Sequence, residues 1–200
     1  VSRSTTGFDA NNLRSETFYN INGTKGEERA WYTYNYRTGG TIVKDTTIYT
    51  YETTGNRETE RMTESNTFDG TVLFANINAP LTNATSTTYY WLSPAIEKGE
   101  EIADYTLDHK TGRDSYYFYG SIAGDSGVRA SSAETDMQMV RSAISRSATF
   151  DEANLRSETF YNLSGTKGEE RAWYSYNYRS DGATIKDTTI YTYESLTGVD

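Results

Sequence analysis

The chain has 200 residues, no cysteine and a net charge of −9 from 28 acidic and 19 basic side chains. Its acidity excludes a phosphate-tracking surface for nucleic acid, which needs clustered Lys and Arg, and the lack of thiols excludes a disulfide frame or a thiolate metal site. No stretch is apolar enough to span a bilayer as a helix, and 18 Tyr against 7 Phe and 3 Trp, with only 2 Pro, favour half-wet pleated sheet over helix.

Residues 2–19 predict a strand, a turn and a strand. The turn is Phe8-Asp9-Ala10-Asn11-Asn12: Asp9 can accept a hydrogen bond from its own backbone two residues on, and Asn12 tolerates the left-handed conformation of a tight hairpin. Lys25-Gly26-Glu27-Glu28 then breaks into the longest alternating run, residues 29–37, which sets Tyr32, Tyr34 and Tyr36 on one face and Trp31, Thr33 and Asn35 on the other. Thr38-Gly39-Gly40 turns the chain, and residues 46–52 give a strand with Tyr49 and Tyr51 opposite Ile48 and Thr50. Residues 57–69, charged at nearly every other position, read as an exposed strand ending at Phe68-Asp69-Gly70, and residues 72–77 as the most apolar strand of all.

A loop carrying Pro80 follows. Thr87-Thr88-Tyr89-Tyr90 falls in register with Glu16-Thr17-Phe18-Tyr19, and strands recur at residues 105–108 and 116–120 before a loop at 124–127. Residues 132–146 read in two ways. Ala133, Met137, Val140 and Ile144 fit a helical stripe that Ser131 or Ser132 can cap, whereas alignment of residues 142–149 with the extended lead-in at residues 2–6 argues for an irregular strand.

Residues 150–194 repeat residues 8–52 without a gap at an offset of 142, and 35 of the 45 positions are identical. A third, partial copy lies between them, where KGEEIADYTLDHKTG from Lys98 matches KGEERAWYTYNYRTG from Lys25 at an offset of 73. The turns repeat as well: Asp9 and Asn12 return as Asp151 and Asn154, and related turns carry Gly55 after Tyr51-Glu52 and Gly112 after Leu107-Asp108. The chain therefore divides into half-unit A (1–69), half-unit B (70–144) and the start of the next A copy (145–200), and reads as a window on a longer tandem array. The fold expected is all-β, with tandem antiparallel hairpins stacked into an extended or spiralling sheet.

These Tyr/Phe-Asp…Gly/Asn-Arg/Leu turns between Thr- and Tyr-rich strands resemble the YD, or RHS-type, repeat. Phe150-Asp151 with Asn154-Leu155-Arg156 matches its pattern with Asn for the usual Gly, Tyr51-Glu52 with Gly55-Asn56-Arg57 has Glu for Asp, and Leu107-Asp108 with Gly112-Arg113 has Leu for Tyr and one inserted residue. The 142-residue unit with its KGEERA(W)YTYNY core also looks like the repeats of giant surface proteins of environmental bacteria. The resemblance implies long antiparallel hairpins laid side by side in a continuous, spiralling sheet, either an open rod or a hollow shell.

Candidate chemistry is sparse. His109, the only histidine, occupies the position of Tyr36 and Tyr178 in the other copies, so a catalytic imidazole would be missing from most of an array. Glu27-Glu28, Glu100-Glu101 and Glu169-Glu170 recur, but adjacent residues of an extended chain point to opposite faces, so a solvated edge that discourages sheet-to-sheet sticking is expected rather than a dyad or chelate. Tyr32, Tyr34, Tyr36, Tyr49 and Tyr51, with Tyr174, Tyr176, Tyr178, Tyr191 and Tyr193 in the second copy, are expected to form a structural aromatic ladder. Sequons at Asn22, Asn83 and Asn162 are candidate glycosylation sites.

No catalytic residue, metal ligand or cofactor is expected. The function expected is that of a non-enzymatic segment of an extracellular or cell-surface fibre. Its partners would be neighbouring repeats, identical chains and covalent glycans, with no nucleic acid and no membrane within this stretch. The alternatives are a hollow YD-type shell enclosing a toxin or other cargo, and a glycan-binding adhesin with Trp31, Trp91 and Trp173 exposed.

Overall fold

A computed structural model describes residues 9, 11–22, 25–56, 58–77, 82–147 and 149–193. Among these the chain is all-β, with twelve strands and only short 3-10 turns at Phe74–Asn76, Ala130–Ser132 and Glu152–Asn154. No helix is long and apolar enough to cross a membrane. The chain forms two compact units, residues 1–112 and 113–200.

In the first unit β1 (Ser15–Asn20), β2 (Arg29–Tyr36), β3 (Val43–Tyr51), β4 (Met62–Asp69), β5 (Ser86–Trp91) and β6 (Ile102–Asp108) lie side by side in chain order, each antiparallel to the next. In the second unit β7 (Arg113–Gly120) pairs with the two-residue β8 (Val128–Arg129) and with β9 (Gln138–Ser145), followed by β10 (Leu155–Asn162), β11 (Arg171–Tyr178) and β12 (Ile185–Ile190), again antiparallel. Neighbours in sequence become neighbours in space, through connections that run from the short turn at residues 37–42 between β2 and β3 to the longer stretch at residues 70–85 between β4 and β5. At Gly40 the backbone has φ +69, and a Cβ there would stand 2.1 Å from the Leu13 nitrogen; Gly182 has φ +74, with the Asn154 Cα 2.5 Å from its own added Cβ. Only glycine closes these two hairpins.

One face of the first unit holds a core of Tyr32, Ile48, Phe68 and Ile77, with Phe18, Trp31, Tyr34 and Val72 packed against it. Burying a side chain of this size stabilises by roughly 1.5–3 kcal/mol, so the sheet is held mainly through this face.

Four expectations need correction or a choice. Of the two readings for residues 132–146, the strand is found: β9 lies between β7 and β10, whose backbones satisfy its donors and acceptors on both sides, with Val140 fully buried. Residues 72–77 are not a strand. Gly70, at φ +71, turns the chain, the Thr46 hydroxyl donates to Gly70 O (2.7 Å) and accepts from Val72 N (3.0 Å), and the Tyr34 hydroxyl donates to Val72 O (2.8 Å). The segment therefore leaves the ladder and seats Ile77 in the core. β4 is an interior strand between β3 and β5, with Ser65 and Phe68 buried, rather than an exposed one.

Trp31 shares the face of Tyr32 and does not lie opposite it. A bulge shifts the register where Phe18 pairs Tyr32 but Tyr19 pairs Ala30, so the extra residue turns Trp31 edge-on to Tyr32 (5.9 Å). The expected strand before residue 8, with Phe8 and Ala10 of the first turn, lies outside the described residues, as do Arg57 and Pro80.

Candidate functional surface

The same local construction is built three times. A cross-strand aromatic pair is stacked in each copy: Phe18–Tyr32 at 4.6 Å, Tyr89–Tyr105 at 4.8 Å and Phe160–Tyr174 at 4.7 Å, with interplanar angles of 14°, 24° and 19°. Such stacking contributes about 0.5–1.5 kcal/mol per pair beyond buried area. On the opposite face hydroxyls pair directly, Thr17 with Thr33 (2.8 Å), Thr88 with Thr106 (2.7 Å) and Thr159 with Ser175 (2.8 Å). A bulge follows each stacked pair, at Phe18/Tyr19, Tyr89/Tyr90 and Phe160/Tyr161.

The expected ladder tyrosines are divided between the faces. Tyr32 and Tyr34, like Tyr174 and Tyr176, join the stacked side, with centroids 5.2 Å apart in both copies. Tyr49 and Tyr191 sit on the hydroxyl side, 3.1 Å from Thr33 and Ser175. Beside them the Tyr51 hydroxyl donates to Ala30 O (3.0 Å) and that of Tyr193 to Ala172 O (2.8 Å), and Arg29 and Arg171 lie over the two rings at 5.1 and 5.6 Å. Burial foremost, and the nearby Glu101 carboxylate second, push Tyr51 up to about 12.

Tyr36 donates to Glu16 (3.0 Å), Tyr178 donates to Glu158, and His109 Nε2 is 2.8 Å from the Thr87 hydroxyl. These are one cross-strand contact in three copies, so His109 does in the B half what tyrosine does in the A copies. Burial, then the Glu16 carboxylate, pushes Tyr36 up to about 12.

The paired glutamates act unequally. In each pair the second carboxylate accepts from the glycine two residues before it, at 3.0 Å for Glu28, 2.9 Å for Glu101 and 2.9 Å for Glu170. Glu101 and Glu170 also reach the adjoining half-unit, accepting from Met62 N (2.9 Å) and Met139 N (3.2 Å). Next to these bonds the Ser65 hydroxyl meets Tyr90 (3.5 Å) and the Ser142 hydroxyl meets Tyr161 (3.1 Å). The β4–β5 and β9–β10 seams are therefore the same seam.

The turns are closed by hydrogen bonds and not by a left-handed asparagine: among the described residues only glycines have positive φ, so Asn12 and Asn154 do not adopt the left-handed conformation expected of them. Asp9 accepts from Asn11 N (2.9 Å) and Asp151 from Ala153 N (3.0 Å), while Asn12 N and Asn154 N each donate to the aspartate carbonyl at 3.1 Å. Asp108 accepts from Thr111 N and Lys110 N, bonds that hold its carboxyl below the usual range, and Gly112 at φ +64 closes that turn. Gly55, at φ +84, donates its N–H to Glu60 (2.9 Å). Asn22, Asn83 and Asn162 are exposed, and the Asn162 amide oxygen accepts from Ser164 N (2.9 Å).

Sequence reasoning missed the ion pairs of three buried or half-buried arginines. Arg29 bonds Glu60, both nearly inaccessible. Arg141, 4.1 Å above the Phe118 ring, bonds Glu152 (2.6 Å) and Glu158 (3.1 Å). Arg61 grips Glu52 at 2.8 Å through two nitrogens and also donates to Ser93 O and Ile96 O. Long-range partners of this kind leave no periodic trace in a sequence. An open cleft of about 870 Å³ is lined by Phe68, Asp69, Val72, Asn83, His109 and Lys110, with Lys110 bound to Asp69 (2.7 Å). Among the described residues no group of three or more His, Asp or Glu is placed to hold a metal ion. No protein-family model matches the chain, and no curated protein or solved structure is significantly similar to it.

Proposed function

We propose that this chain is a structural, non-catalytic repeat segment of a long fibre exposed at a cell surface or outside the cell, with neighbouring repeats as its principal partners and its exposed sequons as sites for covalent glycans. One observation carries the reading. The seam between half-units recurs with the same atoms, Met N–H to the second glutamate and Ser hydroxyl to Tyr hydroxyl, at β4–β5 and at β9–β10. A surface that fits its own next copy propagates, and stability then accrues by nearest-neighbour terms along the array. Electron microscopy of the native assembly tests this: filaments with an axial period set by the 142-residue unit are expected, whereas closed bags would favour the YD-type shell.

A glycan-binding adhesin is the second reading, favoured by the 36% and 44% exposure of Trp91 and Trp173. Saturable quenching of tryptophan emission by oligosaccharides would support it. No saturable quenching is expected on the structural reading, in which a tryptophan at this position serves packing between repeats, as Trp31, the counterpart of Trp173, does against Phe74 at 5.1 Å.

A further inference from the structure

The two copies of the 45-residue stretch differ in what lies beyond their third strand. In the first unit β3 is flanked by β4, then overlaid by residues 70–77, leaving Thr46 at 0% and Ile48 at 7% exposure. In the second, β12 carries the same Lys-Asp-Thr-Thr-Ile, but Ile190 is 71% exposed and no strand among the described residues pairs with its far edge.

We propose that the far edge of β12, with the adjoining face of β11, is an acceptor for a strand-and-turn segment of the sequence of residues 58–77, supplied by a further repeat unit. The inference rests on the tandem-array reading and names what covers β12.

The occupant is specified by what the first unit does with the same residues. There β4 completes the ladder of β3, with Phe68, buried, opposite Thr46. The Thr46 hydroxyl ties down Gly70 and Val72, the Tyr34 hydroxyl takes the Val72 carbonyl, the Trp31 ring meets Phe74, and Arg29 binds Glu60. Every acceptor-side group recurs in the second copy as Thr188, Tyr176, Trp173 and Arg171. Arg171 is exposed where Arg29 is buried, and the whole of β12 is exposed. A Cβ added at Gly124 would stand 3.5 Å from the Trp173 ring, which is nonetheless 44% exposed. An edge with unpaired backbone groups and a matching side-chain pattern takes an added strand through its ladder and gains specificity from the alternate side chains.

The test is titration of a dye-labelled peptide of residues 58–77 against the full 200-residue chain, followed by fluorescence anisotropy. Saturable binding is expected, with a blue shift of tryptophan emission as Phe74 of the peptide covers Trp173. The Ile190→Asp chain and the Phe68→Asp peptide should each bind at least about tenfold more weakly, the effect of losing one buried anchor. Ile190 is solvent-exposed, so its replacement leaves the fold intact, which near-UV circular dichroism checks, and Thr188→Val is a milder second variant expected to weaken binding severalfold. Absence of saturable binding, or undiminished binding of the Phe68→Asp peptide or to the Ile190→Asp chain, overturns the proposal. A periodic filament whose chain refuses the peptide removes only this acceptor; peptide binding by a protein that forms no periodic filament removes the array and leaves the acceptor.

Discussion

β1 and β10 carry the same Ser-Glu-Thr-Phe-Tyr-Asn, pair with the same second strand in the same bulged register, and yet live in different surroundings. β10 has β9 at its back: Glu158 is buried between Arg141 and Tyr178, and Phe160 is 8% exposed. β1 has no strand on that side among the described residues, and Glu16, accepting only the Tyr36 hydroxyl among the bonds described for its carboxylate, is exposed. β3 and β12 make the same contrast at the other edge. Local sequence sets hairpin, bulge and stacked pair, whereas burial is conferred by the strands and turns laid alongside.

The largest expected effect follows from the carboxylates. Glu158→Ala removes two charge-assisted hydrogen bonds, one from the buried Arg141, which is left with Glu152, and one from Tyr178. It should destabilise by about 3–5 kcal/mol, whereas Glu16→Ala should cost no more than about 1 kcal/mol. Chemical denaturation of the two variants compares them, and equal losses would break the contrast. Next comes the apolar pair. Ile48→Ala should cost about 2–4 kcal/mol and Ile190→Ala within about 0.5 kcal/mol, since only the first empties a packed site.

How much of this was legible beforehand depends on the range of the interaction. The alternation in residues 29–37, the Asx bonds of Asp9 and Asp151 and the 142-residue repeat are short-range or self-similar, and the fold class follows from them. The bulge that turns Trp31 is one inserted residue in a pairing, which a single strand does not disclose. Residues 72–77 are apolar in a run too short to separate strand from packed turn, and the deciding groups, Thr46 and Tyr34, are distant in sequence. Nothing in the sequence marks Arg29, Arg61 or Arg141 for burial, because charge is seldom buried without a partner and their partners come from other strands or loops. The second glutamate of each pair recurs visibly in the sequence, but the bonds of Glu101 to Met62 and of Glu170 to Met139 depend on the neighbouring strand.

A smaller, pH-dependent effect sharpens the contrast at the β3–β4 side. Hydrogen bonds from the Arg61 guanidinium, then from its backbone N–H, hold Glu52 down to about 2, and Arg29 lowers Glu60 in the same sense. Both folded values lie below the unfolded one of about 4.3, so this stabilisation is complete above about pH 5 and is lost as pH falls through the folded values. Hydrogen exchange, corrected for intrinsic rates, should show protection of β3 falling toward that of β12 between pH 5 and 2. Glu52→Gln should flatten that fall, and an unchanged profile would show that the Glu52–Arg61 pair does not hold the strand.

The smallest expected difference between the copies is none at all. Gly40 and Gly182 sit at positive φ with the backbone of residues 12–13 and of Asn154 pressed into the space a Cβ needs, and each donates its N–H to an arginine carbonyl at 3.0 Å, Arg37 or Arg179. These contacts lie inside a single copy, so the neighbouring half-unit is irrelevant to them. Gly40→Ala and Gly182→Ala should each destabilise by more than about 1 kcal/mol, through backbone strain and displacement of the lead-in chain, and by amounts that agree within about 0.5 kcal/mol. Denaturation midpoints of the two variants decide. A large gap between them would mean that neighbours govern even the turns, and the separation of local construction from conferred burial would fail where it is most exposed to test.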